Sequence, residues 1–183
     1  MLLVINGAPG VGKSTLGRLY SGVHPLSLVI DIDSMRMQLG RWEELEESRL
    51  IARDLAVALA RAHLGSGHVV IVPQFIGRPE FVERLRLVAA DSGVRFVEVV
   101  LTDDSDEVVR RFRLRRKELD AAGGEHPQSD LAEDAIASEV ARANDQLLLD
   151  AASRGALVLS GSAGPEELCR SLQNLLARAT DEP

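Results

Sequence analysis

The chain has 183 residues, 45% hydrophobic, 27% charged and only 3% aromatic; these fractions exclude disordered and fibrous classes and predict one globular domain over residues 1–183 with a core of Leu, Val, Ile and Ala. Its formal net charge of −7 argues against a broad nucleic-acid or anionic-membrane surface, because either partner calls for a basic face. A single cysteine, Cys169, excludes an internal disulfide, and no apolar run fits a secretory or membrane-spanning segment, so the expected location is the cytoplasm.

The apolar run Leu2-Leu3-Val4-Ile5-Asn6 reads as a buried strand and leads directly into Gly7-Ala8-Pro9-Gly10-Val11-Gly12-Lys13-Ser14-Thr15, followed by a helical stretch from about Lys13. The nine residues fit GxxxxGK[ST], a phosphate-binding loop. Its glycines let backbone N–H groups turn inward around a phosphate, and the helix that follows aims its positive end at the same anion. All nine, Gly7, Ala8, Pro9, Gly10, Val11, Gly12, Lys13, Ser14 and Thr15, are the candidate nucleotide-binding set. Lys13 is placed to reach the β and γ phosphates and the Ser14 hydroxyl to ligate Mg2+. Lys13 is also one of only two lysines in the chain, the other being Lys117; a chain that otherwise uses arginine has a slender point charge where one is needed.

Pro25 marks a turn, and 26–30 reads as a short strand ending in Asp31-Ile32-Asp33-Ser34-Met35-Arg36. Residues 43–64 give the strongest helical pattern, with Leu45, Ile51, Leu55, Leu59 and Ala62 on one stripe. The run 68–72 is a strand closed by Pro73 and Gln74, 79–91 a helix with Phe81, Leu85 and Val88 inward, and 95–101 a fourth strand. Asp103, Asp104 or Ser105 caps a helix running to about Ala121, which Gly123-Gly124 and Pro127 interrupt. A helix over about 131–153, a fifth strand at 156–160 and a closing helix at 165–179 complete the chain. Apolar strands alternating with helices imply a parallel sheet covered on both faces, with ligands beyond the strands' carboxyl ends.

A triphosphate at the loop serves a kinase, a hydrolase or a switch. Transfer to an alcohol requires a carboxylate to orient the hydroxyl and take its proton, and cations to hold the acceptor. Asp33 and Arg36, three apart on the first turn of a helix, suit those tasks, and Asp31 at the strand end suits Mg2+. Helix capping is an equally good reading of either aspartate alone; their joint placement beside the loop favours function. The run Arg110-Arg111-Phe112-Arg113-Leu114-Arg115-Arg116-Lys117 is a basic cluster in an acidic chain. It reads either as a solvated face paired with Glu107, Glu118 and Asp120, or as part of a lid over the triphosphate. Arg113 and Arg116 are the candidate lid arginines and Gly123-Gly124-Glu125-His126-Pro127 the lid tip. The histidines lack metal-ligand spacing. Trp42, Met35 and Met37 are candidates for the acceptor pocket or for ordinary packing.

With these motifs the chain resembles the small P-loop kinases of metabolites and antibiotics. Asp-x-Asp-x-x-Arg after the second strand is similar to adenylylsulfate kinase, and Asp-x-x-Arg also resembles polynucleotide kinase, chloramphenicol phosphotransferase and the zeta toxins. The resemblance implies a P-loop NTPase three-layer α/β sandwich: a five-stranded parallel sheet in order 2-3-1-4-5 with helices on both faces and a helical lid at about 105–130. It also implies ATP and Mg2+ as cofactors, and transfer of the γ-phosphate to a hydroxyl of a small molecule. One departure is Gln74, where such kinases often carry an acid. The alternatives are a nucleotide or polynucleotide kinase and, from another class, a nucleotide-regulated switch or binding module. No Asn-Lys-x-Asp guanine-reading motif is present, which weakens a GTPase. The acceptor and the oligomeric state stay open.

Overall fold

The structure, a computed structural model, describes residues 1–121 and 133–181. Five strands form one parallel sheet: β1 (Leu2–Asn6), β2 (Leu28–Val29), β3 (Val70–Pro73), β4 (Phe96–Thr102) and β5 (Leu157–Ser160), in spatial order β2-β3-β1-β4-β5. Between and after them run α1 (Lys13–Gly22), α2 (Ile32–Met37), α3 (Ser48–Gly65), α4 (Pro79–Asp91), α5 (Ser105–Ala121), α6 (Glu133–Asp150) and α7 (Pro165–Asp181). The expected sheet and strand order are therefore present. β1 lies at the centre, and alternate residues of this wholly buried strand face opposite layers. Leu3 and Ile5 pack with Leu16 and Tyr20 of α1 and Leu168, Leu172 and Leu176 of α7. Leu2 and Val4 pack with Ala52, Ala56 and Ala60 of α3 and Phe81 and Leu85 of α4. Both faces are covered, which is why the strands are apolar throughout rather than alternating.

Two expectations are corrected. The helix expected from residue 43 begins at Ser48, and the stretch before it is a series of turns closed by bonds such as Trp42 N–H to Leu39 O and Ser48 N–H to Leu45 O. Arg41, two residues before the expected start, has a positive φ of 56°. The apolar stripe of that segment is also not its buried face: Leu45, Ile51, Leu55 and Leu59 are 41–47% exposed, while Ser48, Ala52, Ala56, Ala60 and Leu64 are buried. A row of alanines lets a helix approach a sheet more closely than a row of leucines does, so close packing rather than side-chain hydrophobicity selects the face.

One polar network lies inside this apolar frame, beneath the loop that follows β1. Asn6 is fully buried, and all four of its amide hydrogen-bonding positions are used: Oδ1 accepts from Gly7 N–H (2.8 Å) and Ile76 N–H (2.9 Å), and Nδ2 donates to Ile76 O (3.0 Å) and Glu98 Oε1 (2.9 Å). Glu98, in the middle of β4, is paired in turn by Arg154 (Nη2 to Oε1, 3.0 Å), whose guanidinium also donates to Ile76 O (3.1 Å). The network ties the start of the phosphate loop to the segment after β3 that carries Gln74 and Phe75.

No helix among the described residues is long and apolar enough to cross a membrane.

Candidate active site

The loop between β1 and α1 has the conformation that its glycines permit. Gly10 and Gly12 have φ of 90° and 104°, values that disfavour any residue with a Cβ. At Gly10 the space is closed as well, since a Cβ would lie 2.8 Å from Val108 O and 2.9 Å from Phe112 Cβ, so α5 rests directly on the loop. Gly12 is the N-cap of α1 and supplies no side-chain cap, and the first turn holds no acid. The N–H groups at this end therefore remain available to an anion. Lys13 leans back over the loop, Nζ donating to Ala8 O at 2.9 Å. Burial pushes its pKa down to about 8; Arg115 adds to this, while Asp33 and Asp31 oppose it. Uncapped amides and a desolvated ammonium suit a phosphate chain. Ser14, on the first turn, and Asp31 are the groups that suit its Mg2+; among the described residues there is no cluster of three or more His, Cys, Asp or Glu to hold a metal alone.

α2 brings the two aspartates and Arg36 to the same rim. Asp31 is the N-cap, its Oδ1 accepting from Ser34 N–H at 3.0 Å. The cap fixes the direction of this carboxylate. Asp33 projects from the first turn, with long contacts of 3.5 Å from Gln74 Nε2 to both of its oxygens. Its pKa is raised by desolvation in the cleft and by the neighbouring Asp31 carboxylate, against the opposing pull of Gln74, Lys13 and Arg36. Gln74 is held in place by the sheet, its N–H bonding Ile5 O at 3.1 Å.

Arg36 is 6% exposed. Its Nε donates to Ser48 Oγ (2.8 Å), its Nη2 to Trp42 O (3.3 Å), and its guanidinium lies 4.8 Å from the centre of the Trp42 ring. Burial lowers its pKa, and repulsion from Arg49 adds to the shift.

Asp33, Arg36 and Gln74 open on a cleft of about 320 Å³, lined also by Pro9 and Gly10 of the loop, by Ile32, by Arg49, Ala52 and Arg53 of α3, by Phe75, and by Phe112, Arg115 and Arg116 of α5; Lys13, Ser14 and Asp31 do not line it. The arginine run of α5 divides between the two uses considered for it. Arg110 and Arg111 pair with Glu107 at 2.7 and 2.9 Å, and Arg111 also with Asp103, which makes that side a salt-bridged surface. Hydrogen bonds from Arg110 and Arg111 hold the Glu107 pKa down at about 2. Phe112, Arg115 and Arg116, spaced i, i+3, i+4, turn to the cleft. Of the two expected lid arginines, Arg116 lines the cleft; Arg113 is half-buried and does not. The expected tip at Gly123-Gly124-Glu125-His126-Pro127 lies outside the described residues.

The sequence profile of the AAA domain family AAA_33 matches residues 2–133. The chain belongs to that family. No curated protein matches it. AAA_33 membership covers the loop, α2, α3 and α5, the elements that build the cleft, and solved structures extend the likeness to the whole fold. The Mycobacterium tuberculosis APS kinase CysC, solved with AMPPNP and APS, is 20% identical with a TM-score of 0.61, 96% of each chain being covered. A gluconokinase from Sinorhizobium meliloti 1021 is 16% identical with a TM-score of 0.62, covering 97% of this chain and 91% of that one. The shikimate kinase of Bacteroides thetaiotaomicron is 19% identical with a TM-score of 0.59, covering 97% and 98%. At these identities the likeness is one of fold, the small P-loop kinase fold.

Within this AAA_33 fold the sequence motifs locate the loop, Asp31, Asp33, Arg36 and Arg116. They do not locate Arg49, Arg53, Phe75, Phe112 or Arg115. Arg115 follows from the i, i+3, i+4 set that includes Phe112 only once α5 is seen to rest on Gly10. Arg49 and Arg53 belong to a helix whose buried face the hydrophobic pattern misassigns. Trp42 packs against Arg36, Met35 packs in the core and Met37 is exposed, so none of the three lines the cleft.

Proposed function

We propose that the chain is an ATP- and Mg2+-dependent phosphotransferase that moves the γ-phosphate to a hydroxyl of a small molecule, one kinase domain in which α5 serves as the lid. The observation that carries this reading is Asp33: a carboxylate of raised pKa, electrostatically coupled to Lys13 of the phosphate loop and open to a cleft of a size suited to a metabolite. Bound nucleotide with Mg2+ supplies the phosphoryl group to be transferred. The N–H groups of residues 7–15 and the Lys13 ammonium hold its phosphates, with Ser14 and Asp31 toward the metal. Asp33 would receive the acceptor hydroxyl at one carboxylate oxygen and take its proton as the new P–O bond forms and the bond from the γ-phosphorus to the bridging oxygen breaks, with ADP as the leaving group. The raised pKa brings that carboxylate nearer to neutrality and makes it a better base. Gln74 steadies Asp33 without adding the negative charge that a carboxylate there would bring. Arg115 and Arg116, with Lys13, offset charge on the transferring group and help Phe112 exclude water. The kinases of similar fold named above are, by their names, kinases of APS, gluconate and shikimate, which supports a small hydroxylated acceptor rather than a polymer.

The test is ATP consumption in the presence of sugars, sugar acids, nucleosides, adenylylsulfate and aminoglycosides, comparing the native protein with Asp33→Asn. Acceptor-stimulated turnover is expected to fall by roughly 100-fold or more in the variant, with AMPPNP affinity unchanged. Native-like turnover in Asp33→Asn refutes the assignment of the base; nucleotide binding with no stimulated turnover by any acceptor class points to a switch or binding module.

A further inference from the structure

Phosphoryl transfer does not use all the positive charge in the cleft. Among the described residues five arginines line it, Arg36, Arg49, Arg53, Arg115 and Arg116, against one carboxylate, that of Asp33, in a chain of net charge −7. Arg115 and Arg116 come from α5, after β4. The other three come from α2 and α3, which connect β2 to β3 on the opposite side of β1 and its phosphate loop in the strand order. They stand on the acceptor's side.

Several arginines elsewhere on the surface have acidic partners, among them Arg61 with Asp91 (3.2 Å), Arg84 with Asp54 (2.6 Å), Arg86 with Glu83 (3.3 Å) and Arg110 with Glu107 (2.7 Å). Arg36 is buried on neutral partners, Ser48 and Trp42, with no carboxylate at ion-pair distance among the described residues. Arg53 likewise has no acidic partner among them; its guanidinium lies 5.5 Å from the centre of the Phe81 ring. Arg49 has one long contact, 3.8 Å to an exposed Glu46, and sits close enough to Arg36 to repel it. Arg49, Ala52 and Arg53 share one helix face at i, i+3, i+4, and all three line the cleft. Arg36, buried on neutral partners and repelled by Arg49, has only the longer-range attraction of Glu46, Asp33 and Glu43 to offset its burial, a cost that a bound anion would relieve, and two guanidinium forks on one helix face match the oxygens of a planar or tetrahedral oxyanion.

We propose that the acceptor is a small hydroxylated anion whose carboxylate, sulfate or phosphate group is held by Arg49 and Arg53, with Arg36 fixed beneath them, so that its hydroxyl meets Asp33. The proposal rests on the kinase reading and adds the acceptor's class to it. Phe75, 36% exposed at the same cleft, offers an apolar edge to the acceptor's carbon skeleton.

The test is calorimetric titration of the protein saturated with AMPPNP and Mg2+, so that the phosphate loop is filled, with sodium sulfate, sodium phosphate and glycolate in separate arms at constant ionic strength in chloride. At least one oxyanion is expected to bind saturably, and the arm that binds tightest identifies the acceptor's charged group. The Arg49→Gln/Arg53→Gln double variant is expected to weaken that binding by about tenfold or more, in line with the loss of charge-assisted hydrogen bonds, and Arg61→Gln, on the same helix but paired with Asp91, to leave it unchanged. AMPPNP bound with no saturable oxyanion in any arm, or equal oxyanion binding in the double variant, overturns the proposal alone. Failure of AMPPNP to bind overturns the nucleotide reading beneath it.

Discussion

Lys13 gives the nucleotide site a pH signature that can be calculated from its environment. Burial lowers the pKa of the ammonium to about 8 while the phosphate loop is empty of anion, with Arg115 adding to the shift. A triphosphate favours the charged form and returns the pKa toward its ordinary value. Binding therefore takes up a proton wherever the free protein has lost one: with a free pKa of about 8 the uptake is ~0.5 proton at pH 8, ~0.9 at pH 9 and close to zero at pH 6.5. The same linkage weakens apparent affinity by a factor of about 1 + 10^(pH − 8), so roughly tenfold, or about 1.4 kcal/mol, is lost between pH 7 and pH 9. The sign follows from the downward shift: the group is fully charged and ready for phosphate below its folded-state pKa, and each pH unit above it costs affinity. The assay is AMPPNP titration at pH 7, 8 and 9 in buffers of different ionisation enthalpy, whose heats give the protons exchanged; saturating Mg2+ pulls the last ionisation of the nucleotide's terminal phosphate below this range. Lys13→Arg, which keeps the charge but does not titrate in this range, is expected to abolish both the uptake and the loss of affinity. A flat affinity profile in the native protein, or the same uptake in Lys13→Arg, refutes the reasoning.

Two further predictions concern the structure around the loop. Gly10→Ala is expected to weaken AMPPNP binding by about tenfold or more, because its φ of 90° and the 2.8 Å approach to Val108 O force either the loop or α5 to move; Gly22→Ala, which meets no atom within 4 Å, is the control and is expected to change neither binding nor Tm appreciably. Arg154→Met leaves the buried Glu98 carboxylate without its cation and is expected to destabilise the fold by about 3–5 kcal/mol, a fall in Tm on the order of 10 °C in thermal unfolding. Adding Glu98→Leu to that variant is expected to recover part of the loss, and a double variant less stable than the sum of the two single changes contradicts the ion-pair account.

The parts of this protein that could be read from its sequence are those where a local pattern has one physical solution. The glycine spacing before Lys13 has such a solution, and so do the unbroken apolar strands, which allow only a sheet covered on both faces. Proline and glycine punctuation located most helix ends to within a few residues. Reading failed where a choice depended on what lay opposite in space. For α3, leucine and alanine stripes competed for the core, and the sheet's demand for close approach selected alanine. In the arginine run of α5, the helical period offered several faces, and only the contact with Gly10 determines that Phe112, Arg115 and Arg116 face the cleft while Arg110 and Arg111 pair with Glu107. The lone carboxylate of Glu98 in an apolar strand was a legible demand for a buried partner, but that partner, Arg154, is 56 residues away in the chain.

The same spatial dependence bears on why Asn6 stands at the end of β1. Its side chain ties Gly7 N–H to both backbone groups of Ile76, and through Glu98 to Arg154. The loop that receives phosphate and the segment that presents Gln74 and Phe75 to the acceptor therefore share one buried, fully bonded amide. Asp33 faces both, coupled to Lys13 on one side and touched by Gln74 on the other. Direct transfer of a phosphoryl group requires donor and acceptor to be held within bonding reach of each other, and small displacements of either are costly to the rate. A rigid link between the loop and the neighbouring strand's end is what the proposed transfer calls for. In this protein the link is made by a polar network inside an otherwise apolar core, where each member must remain paired for the fold to be stable. Stability and the alignment of the two half-sites thus depend on the same hydrogen bonds.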